Sequence, residues 1–157
     1  MALEIERKFL VHPSELGTLE DGQHIVQGFI PTVGHTAVRA RLYGGRAWLT
    51  LKGRTEGATR LEFEYEIPVD DAAAILEAFC VATQVEKTRY CRDYAGFTWE
   101  IDVFEGDNDG LIMAEIELRS EDQSFEIPPW VTKEVTGDPR YYNSNISRRP
   151  YKTWNDA

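Results

Sequence analysis

The chain has 157 residues, 42% hydrophobic and 28% charged, with a net charge of −10, a composition that describes one globular domain with room for a sizeable core. No apolar run approaches the ~20 residues of a membrane span, and the residues from Glu4 onward are too charged for a secretory leader. A sequence pI of about 4.8 argues against charge-driven binding to bulk nucleic acid or anionic membrane.

Period-two alternation dominates the chain and predicts strands. In order, these cover Leu3 to Val11, residues 25 to 30, Thr36 to Leu42, Ala47 to Lys52, Arg60 to Val69, Lys87 to Tyr94, Phe97 to Phe104 and Leu111 to Ser120. Gly44-Gly45 reads as a hairpin turn and Asp107-Asn108-Asp109-Gly110 as a turn cluster. One segment switches to helical period, with Asp70 or Asp71 as its cap and Ile75, Leu76 and Phe79 on one face. Short helices are expected near Pro13-Ser14 and around Ser144 to Arg149, and a helical turn over Trp130 to Val135. About eight strands with few helices, and no linker or repeat, predict a mainly β, single-domain antiparallel barrel or strongly curved sheet over residues 1–157. Cys80 and Cys91 lack CxxC spacing, which fits a reducing compartment; the expected location is the cytoplasm.

The charges carry the functional reading. Side chains at i and i+2 share a strand face. Glu4, Glu6 and Lys8 therefore oppose Leu3, Ile5 and Phe9, and Arg39 and Arg41 oppose Val38, Ala40 and Leu42. Lys52 opposes Leu51; Arg60, Glu62, Glu64 and Glu66 oppose Leu61, Phe63, Tyr65 and Ile67. Lys87 and Arg89 share a face, as do Glu100 and Asp102, and Glu115 and Glu117. One such strand is ordinarily a solvated face. Recurrence of carboxylate and cation doublets in nearly every strand is different: in a closed sheet these faces line a tunnel.

Buried charges must pair or hold ions. Carboxylate doublets suit hard divalent cations such as Mg²⁺ or Mn²⁺, and arginine doublets and lysines suit phosphate oxygens. A triphosphate, at about −4 to −5 near neutral pH, meets the demand of both sets.

The same residues resemble the signature of the CYTH superfamily, the triphosphate tunnel metalloenzymes. Glu4-x-Glu6-x-Lys8 is followed in family order by Arg39-x-Arg41, Thr50-Leu51-Lys52, Arg60-x-Glu62-x-Glu64, Glu86-Lys87-Thr88-Arg89, Asp102 and Glu115-Ile116-Glu117. The tail Glu134-Val135-Thr136-Gly137-Asp138-x-Arg140-Tyr141-x-Asn143 is similar to that of short bacterial members. The triplet alone is weak; the ordered set spans the chain. The resemblance implies a closed eight-stranded antiparallel tunnel with short outer helices. It implies a metal held by Glu4, Glu6, Glu115 and Glu117, with Glu62, Glu64 and Asp102 as candidates for a second. Lys8, Arg39, Arg41, Lys52, Lys87 and Arg89 would grip phosphates, with Lys8 or Lys52 assisting the attacking water.

Two residues depart from the family pattern. Phe29 stands where many short members have tyrosine, and Glu66 extends the carboxylate row. The activity implied first is hydrolysis of inorganic tripolyphosphate. Adenylate cyclization, thiamine or nucleoside triphosphate hydrolysis, and non-catalytic polyphosphate binding remain alternatives. A homodimer is expected by the same analogy.

Overall fold

The computed structural model describes residues 2–154. Alternating residues from Leu3 to Val11 form β1, and Gln23–Ile30, Ala37–Tyr43 and Arg46–Lys52 form β2, β3 and β4. Thr59–Ile67, Gln84–Tyr94, Phe97–Phe104 and Ile112–Glu117 form β5 to β8. All neighbours are antiparallel, in the order β5-β4-β3-β2-β6-β7-β8-β1, and β1 returns to β5 through Leu3↔Leu61, Glu4↔Arg60 and Ile5↔Thr59. The eight strands thus close into a barrel, which removes the exposed edges an open sheet would carry.

The expected helical turn over Trp130 to Val135 is instead a ninth strand, β9, at Val131–Glu134. Backbone bonding explains the difference. One edge of β1 meets β8 from Glu6 to Leu10, while β5 covers only Leu3 to Ile5 of the other edge. β9 takes up the remainder, pairing Phe9 with Glu134 and Val11 with Val131. Other boundaries also move. Pro68 ends β5 before Val69 and caps the helix in place of Asp70 or Asp71, which lie in its first turn, where the helix dipole favours them. That helix, α2 at Val69–Phe79, follows the four-residue α1 at Pro13–Leu16 and precedes α3 at Asn143–Ile146.

The apolar strand faces point outward and are covered in patches. Phe9, Trp99, Ile101 and Ile116 pack beneath Leu16 of α1 and Trp130. Leu76 and Cys80, at the end of α2, lie over Ala40. Gly28 permits that approach, because a Cβ there would sit 2.5 Å from the Cys80 Cβ. A third cluster lies on the inward faces: Val85, Phe104 and Met113 meet Val135, Tyr141 and Ile146, so the tail packs into one end of the barrel.

Two hairpins use two-residue turns with positive φ at both positions, Gly44-Gly45 at 60° and 78° and Ala95-Gly96 at 49° and 85°. This is the turn whose twist suits antiparallel strands. A Cβ in the left-handed region costs about 1–2 kcal/mol, and asparagine tolerates it better than alanine. Ala95→Asn is therefore expected to stabilise the protein by about 0.5–1 kcal/mol in urea unfolding. A loss of stability would show that the turn is not under this strain.

Candidate active site

The inward faces carry the charged doublets, and closure brings residues far apart in sequence into contact. Lys52 on β4 reaches Glu4 on β1 at 3.0 Å and Glu62 on β5 at 3.2 Å. Lys8 on β1 lies 3.5 Å from Glu115 on β8. Arg39 and Arg41 both lie 3.4 Å from Glu64, which also accepts a hydrogen bond from Thr50 at 2.7 Å. Asp102 on β7 is claimed twice: Arg89 donates to both its oxygens at 2.8 and 2.9 Å, and Lys87 lies at 2.7 Å. Lys87 and Asp102 are almost wholly buried, at 2% and 1% side-chain exposure. A cavity of about 60 Å³ remains among Glu6, Lys8, Arg39, Lys52, Arg89 and Glu115.

Burial and neighbours polarise these groups. Burial raises the Glu6 carboxyl well above its ordinary range, and the Glu115 and Glu4 charges beside it add to the shift. Burial also works against an ionised Glu115, but Lys8, Arg89 and Lys87 outweigh it and hold that carboxyl well below its usual range. Burial, then the adjacent Arg41, push Arg39 down to about 10. Burial, against the pull of Asp102 and with the repulsion of the adjacent Arg89, lowers Lys87 to about 8. Burial opposes charge on Lys8 too, yet Glu115, Glu6 and Asp102 raise its pKa, so it stays an ammonium.

Most of the residues singled out in the sequence converge here, with local differences. Glu6 and Glu115 come together, and the carboxylate that joins them is Glu100, with ligand atoms of all three within 4.8 Å of one another. Glu100 was on the charged face but outside the expected metal set. Its signal was the register Glu100↔Glu115, which is not visible in one strand alone. Glu117 is exposed, opposite Glu6 at the strand end. Glu4 and Glu62 share Lys52, and Asp102 is occupied by cations. Arg7, of opposite parity, bonds Glu134 on β9 and lies over the Phe125 ring. Glu66 sits in an exposed two-pronged pair with Arg46 at 2.7 Å, which accounts for it as a rim residue. Phe29 is buried in the cavity wall, where its ring contributes packing and no hydroxyl.

The tail supplies groups that strand patterning did not reveal. Asn143 accepts hydrogen bonds from Gln27 at 2.7 Å and Lys87 at 3.0 Å, and Tyr142 and Ser144 line the cavity.

The donor chemistry fits a divalent cation: Glu6, Glu100 and Glu115 offer clustered hard oxygens. The cation side fits a bound anion, because the Nε atoms of Arg39 and Arg41 are buried without a hydrogen-bond partner. A closed antiparallel barrel whose interior joins a carboxylate cluster to rows of arginine and lysine defines a tunnel protein whose walls offer donors for both a cation and an anion. Residues 2–151 match the CYTH domain model, and the chain belongs to that family. An inorganic triphosphatase of Acetivibrio thermocellus is 46% identical over 99% of this chain and 100% of its own length. An inorganic triphosphatase of Nitrosomonas europaea is 39% identical over 92% of this chain and 96% of its own. A crystal structure of an inorganic triphosphatase superposes with a TM-score of 0.66 at 36% identity, covering 92% of this chain and 97% of that one.

Proposed function

We propose that this chain hydrolyses inorganic triphosphate to pyrophosphate and phosphate with Mg²⁺ or Mn²⁺. The observation that carries the reading is the buried Nε atoms of Arg39 and Arg41, without a hydrogen-bond partner among the described residues, inside the same barrel as the Glu6, Glu100 and Glu115 cluster. The names carried by the relatives at 46% and 39% identity support it.

In this reading Glu6, Glu100 and Glu115 hold a cation, and Glu4, Glu62, Glu64, Asp102 and Glu117 are further acidic positions available to metal as cations move to substrate. A bound cation neutralises phosphate oxygens and polarises the phosphoryl group. Arg39, Arg41, Lys87 and Arg89 bind the chain of phosphates and hold it in line. Lys8, kept charged by its carboxylates, donates to phosphate oxygen rather than accepting a proton. Lys52, held between Glu4 and Glu62, is the remaining lysine for positioning water. The oxygen of that water bonds to the terminal phosphorus as the P–O bond to pyrophosphate breaks.

The test is a substrate panel of tripolyphosphate, ATP and thiamine triphosphate with Mg²⁺, Mn²⁺ or EDTA. Phosphate release from tripolyphosphate that EDTA abolishes is the expected result. Cyclic AMP as main product, preference for an organic triphosphate, or tight binding with no turnover would each overturn the proposal.

Among the described residues no helix is long and apolar enough to cross a membrane; with both cysteines unpaired, we place the protein in the cytoplasm. We also propose a homodimer. The outer face of β4, β5 and the start of β1 leaves Leu3, Leu51, Leu61, Phe63 and Tyr65 exposed. Leu3 pairs with Leu61 and Leu51 with Phe63, so they form one uncharged stripe. In a chain of net charge −10 it is a face where two copies meet without repulsion. Phe63→Glu is expected to halve the mass seen by light scattering while triphosphate binding persists; a wild-type monomer would exclude the dimer.

A further inference from the structure

The tail contributes one side chain to the tunnel that belongs to neither the carboxylate nor the cation set. Asn143, the first residue of α3, lines the cavity together with Arg39, Lys52 and Arg89. The chain is fixed on either side of it, because Tyr141 and Ile146 are buried against Val85, Phe104 and Met113. The Asn143 Oδ1 accepts from Gln27 Nε2 on β2 at 2.7 Å and from Lys87 Nζ on β6 at 3.0 Å. Lys87, 2.7 Å from Asp102, is an ammonium with only hydrogens to offer, so Asn143 must turn its oxygen toward it. Gln27 must then present its amide nitrogen to the same oxygen. Gln27 is wholly buried, and its own Oε1 is left without a partner among the described residues. An unpaired buried oxygen is costly, yet turning the Gln27 amide over would set two oxygens against each other. The series Lys87, Asn143, Gln27 therefore has one orientation, with the Asn143 Nδ2 directed away from both partners. That nitrogen makes no hydrogen bond among the described residues. Unlike Gln27 Oε1 it is not sealed from solvent, so it opens on the cavity that Asn143 borders.

We propose that Asn143 is a substrate-binding residue whose Nδ2 donates to a non-bridging oxygen of the phosphate chain. The inference rests on the reading of the tunnel as a triphosphate site. With its oxygen already used twice, Asn143 can take an acceptor but not a hydroxyl or amine proton, and ionised phosphoryl oxygens are acceptors only. The lysines and arginines answer the charge of a polyanion. An uncharged donor held in one direction adds something else: it fixes how the chain is turned about its own axis, which an in-line displacement requires.

The experiment measures tripolyphosphate affinity by calorimetry in EDTA, kcat/KM with Mg²⁺, and urea unfolding. The proteins are wild type, Asn143→Asp, Asn143→Ala, Lys87→Met and Asn143→Ala in a Lys87→Met background. Aspartate has the shape of asparagine and still accepts from Gln27 and Lys87, but ionised it has no hydrogen to give. Asn143→Asp is expected to unfold like wild type and to weaken tripolyphosphate binding about 100-fold, through the lost donor and the added charge. Asn143→Ala is expected to weaken it about tenfold, and by the same factor in the Lys87→Met background. No effect of Asn143→Ala in that background would make Asn143 a support for Lys87 and overturn the proposal. Wild-type affinity in Asn143→Asp would make it a structural acceptor and overturn it independently. Wild type that binds tripolyphosphate without hydrolysing it would overturn the triphosphatase reading, and the affinities would still decide the role of Asn143. Wild type that does not bind it would overturn both.

Discussion

Glu115→Gln is expected to lower kcat/KM for triphosphate on the order of 10³-fold, about 4 kcal/mol of transition-state stabilisation, while the barrel stays folded. Glu115 is where the two halves of the site meet. Its carboxylate belongs to the cluster with Glu6 and Glu100 and lies 3.5 Å from Lys8 and 3.8 Å from Arg89. Burial disfavours its charge, but Lys8, Arg89 and Lys87 keep it ionised, so it is the member of the cluster most ready to accept a cation. Glutamine keeps the volume and one oxygen and removes the charge. Calorimetric titration with Mn²⁺ separates the possible causes. Lost metal affinity together with lost turnover is the expected pair; unchanged affinity alongside unchanged turnover would remove Glu115 from the metal site.

The second large effect is on stability. Asp102→Ala is expected to cost about 3–5 kcal/mol of unfolding free energy, the usual consequence of removing one partner from a buried ionic cluster. Lys87 would be left with its hydrogen bond to Asn143, and Arg89 would lose its two-pronged contact. Such a loss is a large share of the 5–15 kcal/mol typical of a domain, so urea unfolding at neutral pH reads it directly. Wild type carries the same dependence on pH. Burial raises the Asp102 pKa, but Arg89 and then Lys87 outweigh it, leaving it below the ordinary aspartate value of 3.8. A carboxyl with a depressed folded pKa contributes its stability above the unfolded value, and that contribution disappears as pH falls through the folded one. The stability difference between wild type and Asp102→Ala is therefore expected to shrink below about pH 4. A cost under about 1 kcal/mol at neutral pH would mean that this ionic cluster is not what holds β6 to β7.

The alternation of charge and hydrophobicity made the barrel and its inner face legible, because a side chain's face follows from parity alone. It located Glu4, Glu6, Lys8, Arg39, Arg41, Lys52 and Glu115 on that face before any strand was paired. Register was not legible. It decides that Glu100 faces Glu115, and that Glu117 falls at the exposed end. β9 was hidden for a related reason. Four residues carry too little pattern, and what makes them a strand is the vacant edge of β1. The insertion of Asn143, Tyr142 and Ser144 depends on tertiary packing of a tail whose local sequence predicts only a short helix.

The cross-tunnel ion pairs have a thermodynamic consequence. Glu115 faces Lys8 and Arg89, and Lys52 faces Glu4 and Glu62. A cation held by the carboxylates would free the lysines and arginine, and a polyanion held by those bases would free the carboxylates. Each ligand therefore lowers the work of admitting the other, and the factor by which metal tightens triphosphate binding equals the factor by which triphosphate tightens metal binding. On the proposed function, the interior would act as an exchange of partners that makes the binding of metal and substrate cooperative.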